Sequence, residues 1–230
     1  MFDYNSERSN DTTYSDNMHN KNPLKINLIL NKINYQENLL IKREESILKK
    51  LLIKLEQYDK YFSKYIHELE VNIKVEKCIY IFARIFNKDF IILFFILLIL
   101  YQYIINKNLF FVIKPLMHVF IIFILTGILK YTIKRPRPEI NEKVKRKYNV
   151  RKNETNHSMP SGDSMQAGNF AIIILIYFKS YFGFIIVPFV MFARIFYFCH
   201  YILDTVVGAI IGIVVSWFLV YPLKLIKLGE

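Results

Sequence analysis

Cysteine is nearly missing from this sequence. Cys78 and Cys199 are the only two in 230 residues, and they lie too far apart to suggest a disulfide framework or a zinc site. The first 22 residues hold no apolar core of the kind that marks a secretory signal, so membrane insertion is expected to rely on later segments. Glycine and proline are scarce as well, 7 of each, and the second half of the chain runs through long apolar stretches. With 53% hydrophobic and 16% aromatic residues behind a polar first third, the pattern is that of a polytopic membrane protein with a hydrophilic N-terminal extension. The surplus of Ile, Asn, Lys and Tyr reads as a coding bias and carries no functional signal. No nucleic-acid partner is implied.

Residues 1–22 are expected to be a disordered polar tail, since Asn, Ser, Thr and Asp offer too little apolar surface to offset the entropy of ordering. Residues 23–72 read as a helix. Leu48, Leu51, Leu55, Tyr58, Phe62, Tyr65 and Leu69 recur at alternating spacings of three and four, a heptad stripe. It suits a homodimer through residues 41–72, or an amphipathic helix lying on the bilayer or on the chain's own helices; the aromatics on the seam favour the second. Residues 73–88 place Ile79, Phe82, Ala83 and Phe86 on one face beside Lys77, Arg84 and Lys88, as an interfacial helix does.

Residues 73–230 then form the membrane domain. Five spans are expected, at 90–105, 109–129, 164–178, 182–198 and 205–223, several near the short limit for a bilayer. The fold class is all-α, a polytopic membrane helical bundle. Between the second and third spans, residues 130–158 carry ten Lys or Arg against Glu139, Glu142 and Glu154. The positive-inside rule puts this loop and the N-terminus in the cytosol and, with an odd number of spans, sends the C-terminus across.

Three ionisable residues interrupt the apolar runs near the end: Arg194, His200 and Asp204. Charges at a membrane edge are functional candidates by default. If the segment is helical, His200 and Asp204 share a face, and the carboxylate can hold one imidazole nitrogen while the other points into a site. A lone His on an apolar face is otherwise an ordinary core residue, so partners decide. Lys130 and Arg137 stand at the expected cytosolic end of the second span, where they also suit ordinary basic flanks. Pro160-Ser161-Gly162 precedes the third span, as a turn with an N-cap or as a helix N-terminus that can hold an anion. Add the cations Lys130, Arg137 and Arg194, and the expected ligand is a phosphate group.

The ordered set of Lys130-x6-Arg137-Pro138, Pro160-Ser161-Gly162 and Arg194-x5-His200-x3-Asp204 resembles the three signature motifs of the type 2 phosphatidic acid phosphatase superfamily, which includes lipid phosphate and prenyl diphosphate phosphatases. The resemblance covers roughly residues 75–223. It implies a phosphatase needing no metal or other cofactor, acting on a lipid phosphate or diphosphate among membrane lipids. His200 would attack phosphorus to form a phosphohistidine and Asp204 would orient it. Lys130, Arg137, Ser161, Gly162 and Arg194 would bind the phosphate oxygens. Such a protein is expected in the endoplasmic reticulum or another internal membrane, its active site facing the cytosol.

One position departs from the family pattern. The second motif usually continues with a His that protonates the leaving group, and here Asp163 stands in its place. An ordinary Asp, with a pKa near 3.9, is protonated in only about one part in a thousand at neutral pH. Asp163 is then expected to activate water or to pair with an Arg, and a substrate with a good leaving group, a lipid diphosphate, is expected to be preferred. His157 is a second candidate proton source, or an exposed loop residue. Two other readings remain open: an inactive phospholipid-binding homologue, and a phosphotransferase of the sphingolipid-synthase type, which shares the His200-Tyr201-x-x-Asp204 pattern.

Overall fold

The computed structural model describes residues 23–86, 90–93, 96–97, 100, 104 and 110–225. The tail at 1–22 and most of the span expected at 90–105 lie outside the described residues. The helices are α1 (Pro23–His67), α2 (Ile73–Arg84), α3 (Phe110–Ile133), α4 (Gly162–Phe178), α5 (Phe182–Phe196) and α6 (Ile202–Leu225), with a 3-10 turn at Arg151–Asn153. No strand occurs among the described residues, and the all-α class holds.

Two helices are long and apolar enough to cross a membrane, over Ile113–Ile133 and Ile202–Leu219; the apolar helices Gly162–Ile176 and Phe182–Phe196 are shorter. Phe120, Ile124 and Ile128 of α3 are exposed, as side chains are when lipid rather than protein covers them.

Close approach of α4 and α6 defines the centre of the bundle. Gly208 and Gly212 stand one turn apart on α6. A Cβ at Gly212 would lie 2.0 Å from the Met165 carbonyl oxygen, and one at Gly208 would lie 2.6 Å from that of Ser161. From the other side, a Cβ at Gly168 of α4 would meet the Ala209 carbonyl at 2.5 Å. Small residues thus let the two backbones touch, which in an apolar solvent replaces the hydrophobic drive toward helix association. Buried polar side chains fix the register. Ser216 donates to Asn169 Oδ1 (2.6 Å), Asn169 to Gln166 Oε1 (3.2 Å), and Gln166 to the Val119 carbonyl (3.1 Å), linking α6, α4 and α3.

The chain divides into two units after Leu55, inside α1. In the second unit the last three turns of α1 bury Asp59, Ser63 and His67, four residues apart on one stripe. Tyr58, Phe62 and Tyr65 are exposed. The inward stripe of this segment is therefore polar, and the heptad seam points away from it.

Three helix ends are made without glycine. Lys134, Lys179 and Phe198 adopt left-handed φ values of 53°, 55° and 57° just after α3, α4 and α5. Such a residue ends a helix as a C-terminal glycine does, at a cost of about 1 kcal/mol.

Candidate active site

The left-handed turn at Phe198 positions the site. After α5 stops, Phe198 N donates to the Ile195 carbonyl (2.9 Å) and Cys199 N to that of Arg194 (3.1 Å), folding the chain back beneath the last turn of α5. His200 follows in this turn and not on a helix, whereas Asp204 is in the first turn of α6. The shared helical face expected for them is replaced by a cap. Asp204 Oδ2 accepts from the Tyr201 backbone N–H at 2.9 Å, one half of a capping box. The next two orphan donors of α6 are met from α1: Ile202 N donates to Ser63 Oγ and Leu203 N to Asp59 Oδ1, each at 2.9 Å.

A cavity of about 300 Å³ opens in front of His200. Its polar wall includes Lys130, Glu154, Asn156, Asp163, Arg194 and His200, and its apolar wall includes Phe86 and Phe123. A larger cavity of about 440 Å³, with Val75 and Phe82 of α2 facing Phe189 and Phe192 of α5, has a nearly wholly apolar lining and offers no chemistry. The smaller one is the candidate site.

His200 is 1% exposed. Its Nε2 lies 3.4 Å from Arg137 Nη1 and its Nδ1 lies 3.8 Å from Asp204 Oδ2. A guanidinium can only donate, so this contact puts the imidazole lone pair on Nε2 and the proton on Nδ1, toward Asp204. The separation from Asp204 is ion-pair range and longer than a hydrogen bond, as is common before substrate tightens a site. Burial, with Arg137, Arg194 and Lys130 nearby, pushes the His200 pKa down to about 3 against the pull of Asp204. The ring is therefore neutral at pH 7, as a nitrogen nucleophile must be.

The cations are already engaged. Arg137 donates through Nη2 to Glu154 Oε2 (2.7 Å) and Asn156 Oδ1 (2.6 Å), through Nε to the Asn156 carbonyl (2.7 Å) and through Nη1 to the Cys199 carbonyl (2.7 Å). Lys130 Nζ reaches the same Asn156 Oδ1 at 3.1 Å. Arg194 holds Glu154 Oε1 through Nη2 and Asp163 Oδ2 through Nη1, the latter at 2.8 Å. Burial alone would raise the Glu154 carboxyl, but Arg194 and Arg137 overcome it and lower its pKa to about 2. A carboxylate bridging two arginines is a close electrostatic stand-in for a phosphate.

In the sequence Glu154 is one charge of a basic loop and Asn156 carries no signal. Neither belongs to a periodic or spaced pattern, and only the fold of residues 134–161 brings them to the arginines. Of the residues expected from the sequence, Lys130, Gly162, Asp163, Arg194 and His200 line one cavity. Arg137 reaches the site through His200 and Glu154. Ser161 is fully buried and caps α4: its Oγ accepts from Ser164 N at 3.4 Å and from Ser164 Oγ at 3.0 Å, while its N–H donates to the Asp204 carbonyl at 2.9 Å. The place of a Gly162 Cβ is 3.1 Å from Thr126 Cγ2, so the first turn of α4 rests against α3. His157 is half-buried and is not among the lining residues.

The family model of the PAP2 superfamily matches residues 111–225, half of the chain. The chain belongs to the PAP2 superfamily. Two solved structures share its fold. One is described as the first transmembrane PAP2-type phosphatidylglycerolphosphate phosphatase, from Bacillus subtilis. It aligns with a TM-score of 0.60 and 17% identity over 72% of this chain and 84% of its own. The other is LpxE of Aquifex aeolicus, with a TM-score of 0.55 and 21% identity over 70% of this chain and 93% of its own. A search of curated proteins finds no match. All eight site residues expected from the sequence lie inside the PAP2 match, as do Glu154 and Asn156. Asp59 and Ser63, which cap the helix carrying Asp204, lie outside it.

Proposed function

We propose that this PAP2 protein is a membrane lipid phosphatase that works through a phosphohistidine on His200. The observation that carries the reading is the convergence of a neutral His200, backed by Asp204, with Lys130 and Arg194 on one cavity and Arg137 behind it, 3.4 Å from His200 Nε2. The Nε2 lone pair attacks phosphorus and the bond to the leaving oxygen breaks, that oxygen keeping the electron pair. Water then attacks the phosphorus, the N–P bond breaks, and inorganic phosphate leaves with the lone pair returned to Nε2. The cations stabilise charge on the non-bridging oxygens, which is most of the catalytic task in phosphoryl transfer. Three cationic side chains supply the charge a metal would otherwise bring, so the reaction is proposed to be metal-independent.

Asp163 favours a lipid diphosphate over a monophosphate. Burial pushes the Asp163 carboxyl pKa up, but its Oδ2 is held by Arg194 Nη1 at 2.8 Å, and in that ion pair it accepts; a diphosphate leaving group needs a proton less than an alkoxide does. The protein is proposed to reside in an internal membrane with the basic loop and site in the cytosol, in keeping with the positive-inside rule. Dimerisation through residues 41–72 remains part of the proposal, supported by the exposed heptad seam. One observation favours a second reading, an inactive phosphate-lipid-binding homologue: both bridging arginines are engaged by carboxylates. The test is phosphate release from a panel of lipid mono- and diphosphates in detergent micelles. Release dependent on His200 is expected, and wild type no more active than His200→Ala on every substrate would favour the inactive homologue.

A further inference from the structure

Arg135 stands two residues before the motif arginine and is 9% exposed at its side chain, with one N–H group on each of two carboxylates. Nη2 donates to Asp59 Oδ2 of α1 and Nη1 to Asp204 Oδ1 of α6, both at 2.6 Å, and its guanidinium carbon lies 4.5 Å from the centre of the Tyr201 ring. The two carboxylates are all but wholly buried, at 1% and 0% side-chain exposure. We propose that Asp59 is a positioning residue for the His200–Asp204 pair, acting through Arg135, although it precedes the family match. This rests on the phosphohistidine reading of the site.

The reason is how an arginine fork behaves. A guanidinium facing one carboxylate binds it with two parallel N–H groups. Asp59 takes one arm of Arg135, leaving only the other for Asp204. Asp204 Oδ2 is thereby free to accept from Tyr201 N and to face His200 Nδ1. Without the Asp59 charge, Arg135 turns both arms onto Asp204 and draws Oδ2 away from the imidazole. The histidine then loses the carboxylate that holds its proton on Nδ1 and stabilises the positive charge left there when Nε2 attacks. Ser63, one turn along α1, only caps α6 and does not touch the fork.

The test uses the full chain in detergent micelles and compares Asp59→Asn, Asp59→Glu and Ser63→Ala with wild type. Asp59→Asn is expected to lower kcat by about tenfold to a hundredfold, the scale of a small misplacement, with KM unchanged within about threefold. Asp59→Glu, which keeps the charge, restores most of the loss. Ser63→Ala lowers thermal stability while leaving kcat within about threefold. Where Asp59→Asn is not recovered as a monodisperse protein, Arg135→Lys makes the same prediction, because a lysine keeps the charge but lacks the planar fork that aims one N–H group at each carboxylate. A kcat within about twofold of wild type in both variants overturns the relay. So does an Asp59→Glu as impaired as Asp59→Asn, or a Ser63→Ala with the same fall in kcat. Wild type no more active than His200→Ala overturns the functional reading, and the relay with it.

Discussion

Glu154 Oε2 accepts a 2.7 Å hydrogen bond from Arg137 Nη2, and the other oxygen of the same carboxylate rests on Arg194. In the proposed reaction the seat for a phosphate is thus closed by an internal anion. Any substrate phosphate must displace it, exchanging one pair of charge-assisted bonds for another.

Glu154→Gln should therefore tighten the site. Removing the competing charge is worth about 1.5 kcal/mol, roughly tenfold, in KM for a lipid phosphate and in the inhibition constant of inorganic phosphate. Inhibition of phosphate release by added phosphate measures it. The same change leaves two buried arginines less neutralised, so a lower melting temperature should accompany the tighter binding.

Asp163→His should restore a residue suited to proton donation. Turnover of a lipid monophosphate is expected to rise by about tenfold or more, whereas a matched diphosphate, whose leaving group needs the proton less, gains little. Paired kcat measurements on the two substrates check this. Wild-type turnover of the monophosphate equal to or above that of the diphosphate would count against the role assigned to position 163.

Stability should fall on acidification below about pH 6.5. His200 has its pKa lowered from 6.5 to about 3, so between these values the unfolded chain binds a proton that the folded protein refuses. Glu154, lowered from 4.5 to about 2, adds the same dependence at more acid pH, because its ionised form is what the folded state favours. Both contributions are fully present above the ordinary pKa and are lost as pH falls toward the folded one. Melting temperatures across pH 7 to 3 in wild type and His200→Gln report it, and the glutamine variant should be flatter in the upper part of that window.

Gly212→Ala should be among the most damaging single-methyl changes. The added carbon would lie 2.0 Å from a main-chain carbonyl oxygen, which cannot move aside as a side chain can. A loss of about 3 kcal/mol or more, seen as a depressed melting temperature or poor recovery of folded protein, is expected.

Lys130, Arg194 and the His–Asp pair stand out in the sequence because each sits beside an apolar run, where a charge is conspicuous, and Arg137 stands out by its spacing from Lys130 ahead of Pro138. The support beneath them does not. Arg135 lies in a crowded basic loop where nothing distinguishes it from Lys134 or Lys143. Asp59 lies in a helix whose apolar residues carry the visible periodicity, while burial falls on its polar stripe of Asp59, Ser63 and His67. A buried polar face leaves no trace in a hydrophobic pattern, since patterns assume that what is apolar is inside. The turn holding His200 was hidden too: Phe198 takes a conformation usually left to glycine.

The contact between Asp59 and the α6 backbone also orders events in time. It spans 144 positions, from the Asp59 carboxylate to the Leu203 N–H, and the Arg135 bridge spans 76 on one side and 69 on the other. Loops of that length close slowly, after local helices have formed. Assembly of the bundle and competence of the site are accordingly separate milestones: a chain whose described helices have formed is still unfinished until an early segment has met the helix that carries Asp204.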